Sequence, residues 1–262
     1  MQNLMDLTDH RIIVTGGASG MGAATVRNYV AAGADVISMD VNVEQGQKVA
    51  AEATAAGPGR ADFLRIDVSD AADVNARFDE AAESLGGLDV LAHPAAIQRS
   101  GTASDVTVED WDLMFAVNVR GTMLTNQAAH RLMAPHGGGS IINFGSISGL
   151  RPEAIAPAYS ASKGAVHSWT RTAAAAWGKD GVRVNAILPA IATPMYDAAL
   201  ARLDEDGRTA NYWMNEATIA LGHKYGDPDR DLGPVMVFLA SQASRFITGQ
   251  LLPVDGGQAS VR

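Results

Sequence analysis

Residues 12–33 hold the feature that most limits what this chain can fold into. Ile12-Ile-Val-Thr15 is a short apolar run, Gly16-Gly-Ala-Ser-Gly-Met-Gly22 is a glycine-rich turn, and Ala23 to Ala32 has helical character closed by Gly33. A strand that passes through glycines into a helix aims free N–H groups and the positive end of the helix dipole at one point, which suits a pyrophosphate. Gly16, Gly20 and Gly22 then serve a tight turn, close approach of backbone to phosphate, and close helix packing. A glycine cluster alone is weak evidence. The following strand, Ala34 to Asp40, ends in a carboxylate eighteen residues after Gly22, where a dinucleotide fold places the acid that accepts hydrogen bonds from the adenosine ribose.

Beyond this unit, short apolar runs keep alternating with amphipathic helical stretches, which implies right-handed βαβ units and a parallel sheet. Strands are expected near 11–15, 34–40, 61–67, 88–93, 139–145, 182–188 and 250–255. The fold class is α/β: a single doubly wound Rossmann-type domain over residues 1–262, with a seven-stranded, mostly parallel sheet and helices on both faces. Val108 to Met133 is expected to form one helix with little or no interruption, because Gly121 is its only glycine and Pro135 follows it. Residues 195–231 form the one irregular region, longer than a connection needs, and are expected to be a substrate lid.

Composition narrows the function. Almost half the residues are hydrophobic, enough for a core sealed on both sheet faces. There is no cysteine, so disulfides, thiolate metal sites and cysteine nucleophiles are excluded, and no metal site is expected. A net charge of -9 argues against a nucleic-acid surface. No apolar run reaches membrane-spanning length and no signal peptide is evident, so a cytoplasmic protein without membrane partners is expected.

A second constellation carries chemistry. Tyr159 and Lys163 stand four residues apart in Ala158-Tyr-Ser-Ala-Ser-Lys-Gly164, and Ser146 lies thirteen residues before the tyrosine at the end of a β-branched run. On a helix the phenol and the ammonium share a face. A nearby cation favours the phenolate and brings a tyrosine toward the working range of a general base. A bare Y-x-x-x-K is usually an ordinary helix, and it is the dinucleotide unit at the other end that gives this one meaning. Ser146 as a hydrolase nucleophile is set aside, because Asn143-Phe-Gly-Ser-Ile147 is no nucleophile elbow and no His/Asp pair activates it.

With both ends read, the chain resembles the short-chain dehydrogenase/reductase family over nearly its whole length. The family's T-G-x-x-x-G-x-G corresponds to Thr15 to Gly22, its helix asparagine to Asn118, and its catalytic serine, tyrosine and lysine to Ser146, Tyr159 and Lys163. The resemblance implies NAD as cofactor, held by Gly16, Ser19, Gly20, Met21, Gly22, Asp40, Asp67, Val68, Ala95, Tyr159, Lys163, Pro189 and Thr193. Asp67 and Val68 would flank the adenine, Thr193 would meet the nicotinamide carboxamide, and Asn118 would hold a water beside the lysine. Val254-Asp-Gly-Gly257 adds further agreement. The reaction implied is hydride transfer between NAD(H) and a secondary alcohol or ketone, by a homo-oligomer, most simply a homotetramer paired through helices 108–133 and 157–177.

Two stretches depart from the family pattern. His93-Pro-Ala-Ala96 replaces N-N-A-G, and Pro189-Ala190 replaces Pro-Gly, with Thr193 one residue earlier than usual. His93, ending an apolar strand without triad partners, is expected to be structural or cofactor-lining. Met195, Tyr196, Leu200, Tyr212, Trp213 and Met214 in the lid candidate, with Ser148 beside Ser146, are the expected substrate contacts. They favour a bulky apolar alcohol or ketone over a polyol or small acid, although Arg151, Arg202 and Arg208 leave a carboxylate grip open. The same side chains equally suit packing of the lid on its own domain. Two other functions stand beside this reading: reduction of a 3-oxoacyl thioester on a carrier protein, and a non-catalytic nucleotide-binding protein on the same fold.

Overall fold

The computed structural model describes residues 4–259, the side chain of Met195 excepted. Seven strands form one sheet: β1 Arg11–Thr15, β2 Asp35–Asp40, β3 Arg60–Arg65, β4 Val90–His93, β5 Gly139–Phe144, β6 Val182–Pro189 and β7 Leu251–Val254. Their spatial order is β3-β2-β1-β4-β5-β6-β7 and every neighbouring pair is parallel. The sheet is therefore wholly parallel, beyond the mostly parallel sheet expected from sequence. Most strand residues are buried, which is why they read as continuous apolar runs without alternation.

Helices cover both faces. The sheet packs on α1 Gly20–Ala31, α2 Val43–Ala56 and α9 Gly233–Ala240 through a core that includes Ile12, Val14, Val26, Val49 and Leu239. On the other face α3 Ala71–Leu85, α5 Gly121–Met133 and α6 Pro157–Trp177 enclose Ile13, Ile37, Phe78, Met133 and Val184. Alternate residues of β1 thus serve opposite cores. Polar side chains at the helix starts satisfy orphan amides: Asn42 accepts from the Gln45 N–H, and Asp70 from Ala72 and Asp73.

Val108 to Met133 is continuous helix with one change of winding. Helix α4, Val108–Met114, passes into a π-helical turn at Phe115–Arg120 before α5 begins. Asn118 sits inside that turn, and such wider turns cluster at functional positions. The stretch expected to be irregular is partly helical: α7 Pro194–Leu200 is capped by Thr193, and α8 Glu205–Asn215 by Asp204. The cap residues were in the sequence, but the intervening polar run masked them.

Strand order reverses between β1 and β4. Their carboxyl ends open a crevice, and the segments after β1, β2, β3, β4, β5 and β6 all converge on that edge of the sheet. This brings together Gly16–Gly22, Asp40, Asp67, His93–Ala96, Ser146 and Pro189–Thr193 from positions far apart in the chain.

Candidate active site

The glycine turn is shaped by what crowds it. Gly16 has φ +67, and a Cβ there would lie 2.7 Å from the Ala95 backbone. A Cβ on Gly22 would lie 1.9 Å from the Gly16 carbonyl oxygen, so the start of α1 is pressed against the turn. Ser19 occupies the N-cap position of α1 but its side chain caps nothing, leaving the amides of the Gly20-Met21-Gly22 turn for an anion. Asp40 is fixed beside the turn: one carboxylate oxygen accepts from the Ala18 N–H at 3.1 Å, the other from Asn42 at 3.0 Å. These residues fit a dinucleotide: a backbone cradle for diphosphate and, at the end of the next strand, an acid for ribose hydroxyls.

The adenine-side expectation concerns Asp67 and Val68. Asp67 accepts from both the backbone and the hydroxyl of Ser69, and these bonds hold its carboxyl below the usual carboxylate range, helped by Arg65 and Arg120. Val68 is buried where a side chain on Gly121 would strike it. Both stand at the carboxyl end of β3, on the edge that carries Asp40.

Asn118 does more than the sequence indicated. Its Oδ1 accepts from the Ile97 N–H and its Nδ2 donates to the Ile97 carbonyl, both at 2.9 Å. The same Nδ2 donates to Ser162 Oγ at 3.0 Å, and Ser162 donates to the Tyr159 carbonyl at 2.7 Å. The amide therefore ties the segment after His93-Pro-Ala-Ala96 to the helix that carries Tyr159. Ile97 and Ser162 were not singled out from sequence, although Ser162, three residues beyond Tyr159, carries the helical spacing that would have flagged it.

On α6, Tyr159 and Lys163 occupy the same face as expected, but not with the expected electrostatics. The Lys163 Nζ donates to the Phe144 carbonyl at 2.8 Å and lies 5.5 Å from the centroid of the Tyr159 ring. Burial pushes the Tyr159 phenol up to about 12, and the hydrogen bond with Ser146 offsets this only in part. Burial likewise brings Lys163 down to about 8. The expectation that the lysine lowers the tyrosine's pKa is corrected: desolvation outweighs a cation aimed at a carbonyl on β5. Ser146, at the end of β5, accepts at its Oγ from the Ser148 N–H, and its own N–H donates to Nε2 of His167 at 3.3 Å.

His93 is buried, and its Nδ1 meets Thr15 Oγ1 at 2.7 Å and Thr125 Oγ1 at 3.3 Å. Burial first, then Lys163, depresses it to about 3, so the ring is neutral. This places a strand-bridging imidazole where the sequence departed from pattern. Pro189 ends β6 opposite Val254, and the altered loop after it is tied down: Ala190 donates to Val254, Ala192 donates to Gly226, and Gly226 donates back to Ala190. Thr193 uses its Oγ1 to accept from the Tyr196 N–H, while its methyl faces Gly20. The loop after Pro189 thus closes on the glycine turn.

The lid residues divide. The Tyr196 hydroxyl donates to Glu216 and lies 2.8 Å from the Asn211 side-chain amide, and its ring packs edge-on against Tyr225. Tyr212 packs on Trp213, which is 67% exposed, and Met214 is exposed beside it. Leu200 is half-buried at the end of α7, Ser148 holds its place through the bond to Ser146, and the Met195 side chain lies outside the described residues.

A glycine cradle for a dinucleotide, an acid beside it, and a half-buried serine and tyrosine with a buried lysine at the same sheet edge define a nucleotide-dependent oxidoreductase. Residues 16–259 match the family model described as enoyl-(acyl carrier protein) reductase. The chain is 39% identical over 246 residues to a 2,5-dichloro-2,5-cyclohexadiene-1,4-diol dehydrogenase of Sphingobium indicum, covering 94% of each. It is 36% identical to a 3-alpha-(or 20-beta)-hydroxysteroid dehydrogenase of Mycobacterium tuberculosis, covering 94% of this chain and 87% of that one. Levodione reductase has a similar structure, with a TM-score of 0.90 at 29% identity over 98% of this chain and all of that one. The chain belongs to the short-chain dehydrogenase/reductase family, whose members bind a nicotinamide dinucleotide.

Proposed function

We propose that this protein catalyses NAD-linked interconversion of a secondary alcohol and a ketone, with a bulky, largely apolar cyclic substrate. The observation that carries this reading is the convergence of Ser146, Tyr159 and Lys163 beside the glycine turn. The Ser146 hydroxyl accepts from the Ser148 N–H and is hydrogen-bonded to the Tyr159 phenol, so a substrate oxygen between the two takes over the hydrogen bond of the serine proton. Tyr159, whose phenol holds its proton at neutral pH, gives that proton to the ketone oxygen in reduction and regains it from the carbinol in oxidation. Lys163 supplies a buried cation on the same helix face, and Asn118 braces the loop that closes the site. The bound nicotinamide supplies the hydride acceptor or donor. Ser146 and Tyr159 meet the reacting groups, Lys163 stands behind the tyrosine ring, and Asp40 and the glycines hold the cofactor.

The substrate class follows from the exposed apolar surface of Tyr212, Trp213 and Met214 on α8, which a cyclic ligand would cover. The named relatives act on a cyclic diol or a hydroxysteroid, in keeping with it. Reduction of a 3-oxoacyl thioester on a carrier protein is the second reading; the description of the matching family model shares with it the carrier-protein thioester, though it names reduction of an enoyl group. Asp40 at the cofactor and a net charge of -9 speak against it, since an acidic carrier partner calls for basic residues at the site mouth. A panel of secondary alcohols with NAD, followed by NADH absorbance, tests the proposal. Turnover of cyclic alcohols supports it, and turnover only of 3-oxoacyl thioesters defeats it.

Assembly as a homotetramer in the cytoplasm completes the reading. Among the described residues no helix is long and apolar enough to cross a membrane. A groove of about 860 Å³ between α4, α5 and α6 is lined by Leu113, Phe115, Val119, Met123, Val166 and Trp169. The fully exposed Phe246 borders a second groove beside β7, lined by other residues. A closed tetramer of two-fold symmetry uses two different self-complementary patches, and these two apolar grooves support such an arrangement. Light scattering at micromolar concentration is expected to give four copies; a monomer refutes the assembly.

A further inference from the structure

His167 is a buried imidazole that the chemistry above does not use. It lies one turn beyond Lys163 and two turns beyond Tyr159 on α6, so one helix face carries all three. The ring is 1% exposed and is wedged into the 145–149 segment that bears Ser146. A Cβ on Gly145 would lie 2.5 Å from its Nε2, and one on Gly149 would lie 2.7 Å from its Cε1, so both flanks of the serine loop close on the ring. Between them the Ser146 N–H donates to Nε2 at 3.3 Å.

Accepting at Nε2 requires the neutral tautomer with the proton on Nδ1. Burial, followed by Lys163 and Arg171, depresses the ring to about 4 and keeps it neutral. The Nδ1 has no partner, which makes the imidazole a costly filler where an aliphatic side chain would pack without burying an unsatisfied donor. What the imidazole provides and an aliphatic side chain cannot is the acceptor for the Ser146 amide.

We propose that His167 is a positioning residue: by holding the Ser146 amide and propping Gly145 and Gly149 apart, it aims the Ser146 hydroxyl at the substrate oxygen. The Ser146 side chain has only the Ser148 N–H to orient it from its own loop, so the backbone anchor fixes the remaining freedom. The same α6 face thereby sets both ends of the proton-transfer pair. The role in turnover rests on the alcohol/ketone reading above.

The test compares His167→Leu with His167→Gln, whose amide oxygen replaces the Nε2 acceptor, using an alcohol that the native enzyme turns over. The Leu variant is expected to fold, to keep NADH affinity, and to lose about ten- to a hundredfold in kcat with a smaller change in KM, with Gln recovering most of the loss. Equal kcat for a folded Leu variant and the native enzyme overturns the proposal, as does a Gln variant no better than Leu. Should Leu not fold, His167→Asn takes its place, because its shorter amide does not reach Ser146; Asn and Gln of equal kcat overturn the proposal. Nitrogen NMR of histidine-labelled native protein gives a reading independent of turnover: His167 protonated on Nδ1 supports the acceptor geometry, and protonation on Nε2 overturns it. If the native enzyme turns over no alcohol, the functional reading fails while the NMR result still decides the contact.

Discussion

The Lys163 ammonium donates to the Phe144 carbonyl at 2.8 Å, which fastens the middle of α6 to the end of β5 immediately before the loop that carries Ser146. One bond thus sets the spacing between the serine and the Tyr159 phenol. It also explains why the lysine stands over the tyrosine ring instead of at its hydroxyl.

Tyr159→Phe removes one hydroxyl, leaves that fastening intact, and is expected to cut turnover by about 10²- to 10⁴-fold with NADH affinity and melting temperature nearly unchanged. Lys163→Met breaks the fastening and is expected to impair both turnover and cofactor affinity. Steady-state kinetics and NADH fluorescence titration check both. Substantial activity in the Phe variant removes the phenol from the mechanism.

The Asp40 carboxylate is held at the glycine turn by the Ala18 and Asn42 amides, where a 2′-phosphate would meet its charge. NAD is expected to exceed NADP in kcat/KM by about tenfold or more, and Asp40→Ala to narrow the gap by weakening NAD. Equal specificity constants for the two cofactors in the native enzyme defeat the assignment.

His93 makes stability fall on acidification. Its folded pKa, about 3, lies below the ordinary histidine value, so between about pH 6.5 and 3 the unfolded chain binds a proton that the native state refuses. Stability contributed by the neutral ring is complete above pH 6.5 and is lost as pH falls, by up to about 1.4 kcal/mol per pH unit. His167, depressed to about 4, acts in the same direction. Urea denaturation at pH 7, 6 and 5 is expected to show a shallower pH dependence for His93→Asn than for the native protein. Parallel slopes contradict the buried neutral assignment.

Trp213 offers most of its ring to solvent on α8. Turnover is expected to rise from small to bulky cyclic alcohols, and Trp213→Ala to raise KM several-fold for the bulky members while leaving the small ones little changed. A preference for sugars or short hydroxy acids, or indifference to the substitution, removes the lid from substrate recognition.

The sequence by itself determined the architecture and the chemical groups. The apolar runs of β1, β2, β4, β5 and β6, the Gly16–Gly22 turn, and the Tyr159–Lys163 interval are local patterns, and local patterns fix strands, turns and helix faces without knowledge of neighbours. Asp40 was legible for the same reason, because one βαβ unit sets its distance from the glycines. Tertiary structure alone decided what each group touches. Whether Lys163 reaches the Tyr159 hydroxyl or the Phe144 carbonyl depends on how α6 docks on β5, and whether a phenol sits below or above 10 depends on how much water that docking removes. The brace from Asn118 to Ile97 and Ser162, the His93 contacts with Thr15 and Thr125, and the His167 contact with Ser146 join residues from different elements. Their geometry arises only when parallel strands distant in sequence are brought side by side, which no periodicity within one segment encodes.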